Sequence, residues 1–391
     1  MVRVLIAGGG VAALEATLAL RELAEDRVSV ELLAPEPHFW YRPLAVVEPF
    51  GLGDVHGIEL TELAHACGAG FTLGALAAVD AVNRVARTRA GAEFDYDALL
   101  IATGATPIDE PIPGASTFRG FADGDRVGRL LEEAASGSLR HIVFAVPGGV
   151  RWSLPLYELA LLTAAYLAGR GIDDVEIALV TPEPEPLALF GSEASAAVEG
   201  LLTERGVSVH TGRYPFFVKD GVLTLAPRGS VRADRVVTLP RLVCAPIDGV
   251  PCDRDGFVPT DPSGRVIGLH DVYAAGDVTT FPVKQGGLAA QQARAAAETI
   301  AAEAGADIGP EPFRPILRGL VLTGSVPHYL RAELAGGSGD SSVASAEPLW
   351  WPAAKIVGRH FAPLLADRAD VVLTQPARAD ALPPDVELDA G

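Results

Sequence analysis

The opening segment constrains this chain more than any later one. The apolar run Val2-Arg3-Val4-Leu5-Ile6-Ala7 passes through Gly8-Gly9-Gly10-Val11-Ala12-Ala13 into Leu14-Glu15-Ala16-Thr17-Leu18-Ala19-Leu20-Arg21. A buried strand therefore turns sharply into a helix, as at the start of a dinucleotide-binding βαβ unit. Gly8 and Gly10 have no side chain to block a pyrophosphate, and Ala13 lets the helix sit close on the strand. The free N–H groups at the helix start, from Val11 and Ala12 on, and the positive end of its dipole suit phosphate charge. Small-residue turns also close ordinary strand–helix joints. Placement directly after a strand and before a helix favours the dinucleotide site.

A ribose is usually gripped by an acid at the end of the next strand. That strand is Val28-Ser29-Val30-Glu31-Leu32-Leu33, and Ala34 holds the expected place. Glu36, two residues on, is the candidate to reach back to the ribose; a solvated loop acid between Pro35 and Pro37 is the alternative. Arg42, a little further along, is taken as another cofactor contact. Later, Tyr96-Asp97-Ala98-Leu99-Leu100-Ile101 ends in the small-residue turn Ala102-Thr103-Gly104-Ala105, and Asp271-Val272-Tyr273-Ala274-Ala275-Gly276-Asp277 repeats the design with a terminal carboxylate.

In this order, a GxGxxA loop, an Ala-Thr-Gly turn and a strand ending in Gly-Asp, the chain resembles the flavoproteins with two dinucleotide-binding domains. The resemblance implies an α/β fold of two Rossmann-like three-layer domains, the second inserted in the first, followed by a C-terminal region. It implies FAD as cofactor, with Thr103 and Gly104 beside the flavin nucleotide, and with Asp277, after Gly276, bonded to the ribityl chain and phosphate. The alanine-rich helix after Lys284-Gln285-Gly286-Gly287 would, by the same resemblance, aim its N-terminus at the pyrimidine edge of the isoalloxazine and favour reduced flavin. Gln285 and Gly287 are then cofactor contacts. Lys284, one of only three lysines, is the catalytic candidate, adding positive charge beside the flavin; a surface role is its alternative.

At 391 residues the chain is long enough for several domains and a large core. No apolar stretch is long and uninterrupted enough to span a membrane, and the first strand leaves no room for a signal peptide, so a cytoplasmic protein is expected. A net charge of −19 would repel nucleic acid. Cys67, Cys244 and Cys252 form no CxxC pair and share no ligand spacing with the histidines, so neither a metal site nor a disulfide framework is expected. Cys244 and Cys252 could meet in space, though two buried thiols are the more ordinary outcome.

The expected organisation is an FAD-binding part at 1–120, an NAD(P)-binding-like domain at 121–240, a return to the FAD part at 241–312, and a C-terminal capping or interface region at 313–391. The second domain opens with His141-Ile142-Val143-Phe144-Ala145-Val146 and Pro147-Gly148-Gly149-Val150-Arg151-Trp152. A nicotinamide site needs G-x-G-x-x-G there; Ser153-Leu154-Pro155-Leu156-Tyr157-Glu158 is bulkier and interrupted by Pro155. The next strand, Glu176-Ile177-Ala178-Leu179-Val180, ends in Thr181-Pro182-Glu183-Pro184-Glu185-Pro186, without a clean ribose acid. This site reads as degraded for NAD(P)H.

An intact FAD half with a rewritten second half resembles the sulfide:quinone oxidoreductase and flavocytochrome c sulfide dehydrogenase branch. The likeness rests on the Pro-Gly-Gly loop, Leu156-Tyr157-Glu158 and the Lys284–Gly287 turn, and covers roughly residues 1–330, with type II NADH dehydrogenases next. That branch works through a cysteine pair beside the flavin. Here Arg151, Trp152, Ser153 and Leu154 stand where one cysteine is expected, and no cysteine follows Cys252. Trp152 is left as a flavin or substrate stacker or as a core residue.

In the segment 349–365 a helix would put Ile356, Val357, Phe361 and Leu364 on one side, flanked by Lys355 and Arg359, with Trp350 and Trp351 at one end. This suits an interfacial membrane foot, for a peripheral position on the inner face of the cell membrane; Pro363 favours instead a packed cap or a homodimer contact. Gly336-Gly337-Ser338-Gly339-Asp340-Ser341-Ser342 reads as a linker or lid, and Asp380 onward as disordered. The first functional expectation is an FAD enzyme passing electrons from a small-molecule donor to a quinone or similar acceptor. An NAD(P)H:quinone oxidoreductase and a flavin-binding protein acting through a partner, with little turnover, are the alternatives.

Overall fold

A computed structural model describes residues 1–108, 110–334 and 341–366. The chain first builds β1 (Val2–Ala7), α1 (Val11–Ala24), β2 (Val28–Ala34), β3 (Gly70–Leu73) and β4 (Ala98–Ile101). It then builds β5 (Ser116–Thr117), α2 (Gly124–Ala135), β6 (His141–Ala145), α3 (Leu154–Ala168), β7 (Glu176–Val180), α4 (Ser192–Glu204), β8 (Val207–His210) and β9 (Arg235–Thr238). After this come β10 (Val272–Ala274) and the long helix α5 (Gly286–Glu303), then β11 (Ile316–Val321), β12 (His328–Glu333), β13 (Val343–Ser345) and α6 (Phe361–Ala366).

Two parallel five-stranded sheets result, ordered β10-β4-β1-β2-β3 and β5-β9-β6-β7-β8. All the strands of the second lie in sequence between β4 and β10 of the first, so the second sheet is inserted in the first. Their strands read as continuous apolar runs because helices cover the sheets; Val4, Ile6, Leu100, Ile142, Phe144 and Leu179 are buried. Helices α1 and α5 pack together through small residues, Ala16 and Ala19 against Ala293, Ala296 and Ala297, all at 0% exposure. Such residues let two helices approach closely, which brings the glycine loop before α1 beside the loop before α5.

Two sequence expectations need correction. Pro155 does not interrupt its helix: it sits in the first turn of α3, where a missing N–H costs nothing. The segment 349–360 is not a helix; only α6 is, and Leu349, Trp350, Ile356, Val357, Phe361 and Leu365 are all buried. Trp350 donates its Nε1–H to Ala354 O at 3.0 Å and packs edge-on against Tyr329. Glu15, buried in α1, accepts the N–H groups of His360 and Phe361 at 3.1 and 2.8 Å and so caps α6. The apolar residues that a membrane foot would use are thus spent on the protein's own core. Of the expected linker only Ser341 and Ser342 are described, and the tail from Asp380 lies outside the described residues.

Candidate active site

The glycine loop divides its three residues between fold and ligand. Gly8 has φ +148° and donates its N–H to Leu33 O at 2.8 Å; a Cβ there would lie 2.1 Å from Ala102 O. A Cβ on Gly9 would lie 2.5 Å from Leu60 Cδ1. A Cβ on Gly10 would meet nothing within 4 Å. The empty space in front of Gly10, and a helix whose start no side chain caps, form a cradle of the shape and polarity that a pyrophosphate needs.

That cradle opens into a cleft of 590 Å³, lined by Gly8, Gly10, Val11 and Ala12 on one side and by Thr103, Gly104, Gly276 and Asp277 on the other. Ala13 lies beneath it, fully buried. The two loops touch: Gly276, at φ +83°, has its Cβ position 3.1 Å from the Ala12 Cβ. Its N–H is held by Gln292 Oε1 at 2.8 Å, a contact from α5 that sequence reasoning missed. Glu36 is exposed at the rim near Ala34, and Arg42 lines the floor. The volume of the cleft and the loops that line it suit a dinucleotide, so the residues fit FAD.

A second chamber of 480 Å³ continues from the first, sharing Arg42, Pro43, Asp277, Gly286 and Ile356. Lys284 lines it, donating to Thr279 O while its ammonium sits 3.9 Å over the Phe257 ring. Burial pushes the Lys284 pKa down and the Asp277 pKa up; their mutual attraction opposes both shifts. Gln285 is committed elsewhere: its Oε1 accepts the Leu288 N–H at 2.8 Å, capping α5, and its Nε2 donates to Arg318 O. Gly286, at the first residue of α5, lines both cavities, whereas Gly287 packs against Gln285 and Val357.

The chamber also holds an ion pair that the sequence did not announce. Lys355 Nζ donates to both Glu158 oxygens, at 2.7 and 2.6 Å, and Glu158 also accepts the Leu322 N–H. Their side chains are 8% and 0% exposed. Burial raises the Glu158 pKa and lowers that of Lys355, and the pairing opposes each shift. A glutamate inside an otherwise apolar helix, and a lysine in a chain that has few, were the available signals. Next to this pair Tyr41, its hydroxyl accepting the Ile356 N–H at 3.3 Å, is pushed up to about 12 by burial. Trp152 is partly buried, lines the chamber, and has its ring centroid 6.0 Å from that of Phe190.

The second domain carries a polar cluster of its own beyond the end of β7. Glu183 turns inward and accepts from Tyr157 OH and Thr181 Oγ1, each at 2.8 Å, and from Ser153 Oγ at 3.1 Å. Leu154 and Leu156, where a glycine loop would give access, are buried at 1% and 0% exposure. Cys244 Sγ lies 3.4 Å from Gly104 O beside the first cleft, its thiol pushed up to about 12 by burial; Cys252 is exposed and Cys67 buried, and none of the three is in a disulfide. Among the described residues no group of three His, Cys, Asp or Glu could hold a metal ion, and no helix is long and apolar enough to cross a membrane.

A NADH dehydrogenase-like protein of Mycobacterium tuberculosis is 28% identical over 296 residues, 71% of this chain and 73% of its own. The monodehydroascorbate reductase of Pisum sativum is 26% identical over 54% of this chain and 48% of its own. In fold, the chain is similar to the sulfide:quinone oxidoreductase of Aquifex aeolicus, with a TM-score of 0.79 at 19% identity, over 88% of this chain and 87% of that one. Residues 2–298 match the family model of pyridine nucleotide-disulphide oxidoreductases. The chain accordingly belongs to the pyridine nucleotide-disulphide oxidoreductase family and is an FAD-dependent oxidoreductase.

Proposed function

We propose that the protein passes electrons from a small reductant to a quinone or similar acceptor, with both exchanges at the 480 Å³ chamber. The observation that carries this reading is the inward-turned Glu183: its Oε2 already accepts from Ser153, Tyr157 and Thr181 where a nicotinamide nucleotide would need a ribose acceptor. The bound FAD would supply the two-electron chemistry. Gly10 and the first turn of α1 would hold its pyrophosphate, and Asp277 the ribityl oxygens. Lys284 and the start of α5, which line the chamber, would supply positive charge to stabilise negative charge developing on the ring. Lys355 Nζ, hydrogen-bonded to Glu158 on the chamber wall, would serve as the proton donor to a bound quinone oxygen. Sulfide chemistry through a thiolate has little support, since the Cys244 thiol is pushed up to about 12.

The test is an anaerobic titration of the FAD-loaded protein with NADH, NADPH and sulfide, followed at the flavin band, then reoxidation by a short-chain quinone. Slow bleaching by both nicotinamides with fast quinone reoxidation is the expected pattern. Rapid bleaching by NADH would replace the reading with an NADH:quinone activity, in keeping with the NADH dehydrogenase-like name of the mycobacterial relative. Photoreduced protein that no quinone reoxidises would point to a flavin protein working through a partner.

A further inference from the structure

Two neighbouring parallel strands of the second sheet, β6 and β9, end side by side, and the loop after each reaches the 480 Å³ chamber. The first loop brings Arg151 and Trp152 to its wall, the second Arg241 and Leu242. Ligands of open parallel sheets bind at this carboxyl edge. The cationic side chains lining the chamber are Arg42, Arg119, Arg151, Arg241, Lys284 and Lys355, and most already have a carboxylate to answer them. Lys355 is bonded to Glu158, and Arg119 donates through Nε and Nη2 to Asp123, each at 2.9 Å. Asp277 lies within electrostatic reach of both Lys284 and Arg42, and Asp253 within reach of Lys284. The remaining wall carboxylate, Asp255, is 3.6 Å from Arg254. Arg151 and Arg241 are left over: both are exposed, and neither makes an ion pair among the described residues.

Much of the remaining wall is apolar, with Phe118, Trp152, Leu239, Phe257 and Phe281 among its side chains. Such an enclosure favours a flat hydrocarbon body, and two unanswered guanidinium groups beside it favour a carboxylate over a neutral or cationic group. The contrast with the rest of the molecule sharpens the selection. A chain of net charge −19 repels anions in general, whereas the low-dielectric walls of a cleft focus the field of the charges at its mouth. We propose that the small reductant of the proposed activity, on which this inference rests, is an anion: an apolar ring carrying a carboxylate or an equivalent group. Arg151 and Arg241 are its specificity-determining residues. A quinone is uncharged, so this selection by charge acts on the reductant and not on the acceptor.

The experiment measures binding without turnover, by calorimetric titration of oxidised, FAD-saturated protein with redox-inert probes of one shape: anionic naphthoate, neutral naphthamide and cationic naphthamidine. One naphthoate per chain is expected, bound about tenfold or more tightly than the amide, with the amidine weakest. Raising the salt from about 0.05 M to about 0.5 M should weaken naphthoate binding and leave the amide within about twofold. R151Q/R241Q, altering two exposed side chains that make no ion pair, should bring naphthoate down to the affinity of the amide while amide binding, flavin content and melting stay unchanged. R314Q/R359Q, which removes the same charge outside the chamber, should leave naphthoate binding within about twofold. Equal or tighter binding of the amide or the amidine, no binding of any probe, or undiminished naphthoate binding in R151Q/R241Q would each overturn the proposal. Loss of charge selection together with fast quinone reoxidation would sink this inference alone; charge selection without quinone reoxidation would sink the quinone reading and leave the anion site.

Discussion

A single methyl group separates the roles of two adjacent-looking glycines. Gly8→Ala places a Cβ 2.1 Å from Ala102 O at a positive φ, so it should destabilise the apoprotein by about 2 kcal/mol or more, read as a lower melting temperature. Gly10→Val adds its Cβ where nothing lies within 4 Å. It should therefore leave apoprotein melting within about 1 kcal/mol of wild type and abolish FAD retention on gel filtration. Asp277→Ala should also yield colourless protein, since it removes the carboxylate that the two cavities share. Full flavin occupancy in either variant would sink the assignment of the cleft. At Cys244 the raised pKa has a sign that can be checked. With a folded value of about 12, about one thiol in 10,000 is ionised at pH 8, so iodoacetamide should label exposed Cys252 and spare Cys244. Because the unfolded thiol ionises near pH 8.5, the contribution of Cys244 to stability is present below that pH and is lost as pH rises toward about 12.

At the scale of elements, α3 and the segment after Trp350 are held together by one buried charge pair. Removing a single partner leaves an uncompensated charge in the core, so Lys355→Met should cost about 3–5 kcal/mol, while E158Q/K355M should recover most of it. Chemical denaturation of the three proteins measures this; equal loss in single and double variants would mean that packing, not charge, dominates. The pair also shows what the sequence could and could not disclose. The strands and the α1 loop were legible because each is a local pattern: continuous apolar runs, small residues at a turn, and an alanine-rich helix after Gly286. Pro155 was misread because a proline in a first helical turn and one in a helix interior differ only by where the helix begins. In the stretch from Trp350 to Phe361 the packed cap was legible but its conformation was not, because its apolar residues have helical spacing and yet pack against Tyr329 and α1 as irregular chain. Gln285 was read as a cofactor contact and Gln292 was not singled out; only the fold shows the first capping α5 and the second holding the Gly276 N–H.

At the scale of the molecule, the same accounting decides whether the protein should sit on a membrane. An interfacial foot needs a contiguous apolar face, assisted by attraction to anionic lipid. Here Trp350, Ile356, Val357 and Phe361 are between 0% and 3% exposed, so unfolding the C-terminal region from α1 and α5 would have to precede insertion. The large apolar residues that are exposed, among them Leu52, Leu73, Phe216 and Val326, come from distant parts of the chain. A net charge of −19 adds repulsion from an anionic surface. Full-length FAD-loaded protein should therefore stay in the supernatant when sedimented with vesicles of mixed neutral and anionic phospholipid at about 0.1 M salt. It should also reoxidise with a water-soluble short-chain quinone as fast in the absence of vesicles as in their presence. Quantitative co-sedimentation, or quinone turnover that requires lipid, would mean that the segment around Trp350 leaves its core position in the working enzyme. The Glu158–Lys355 pair, anchored in the same segment, would then have to open with it.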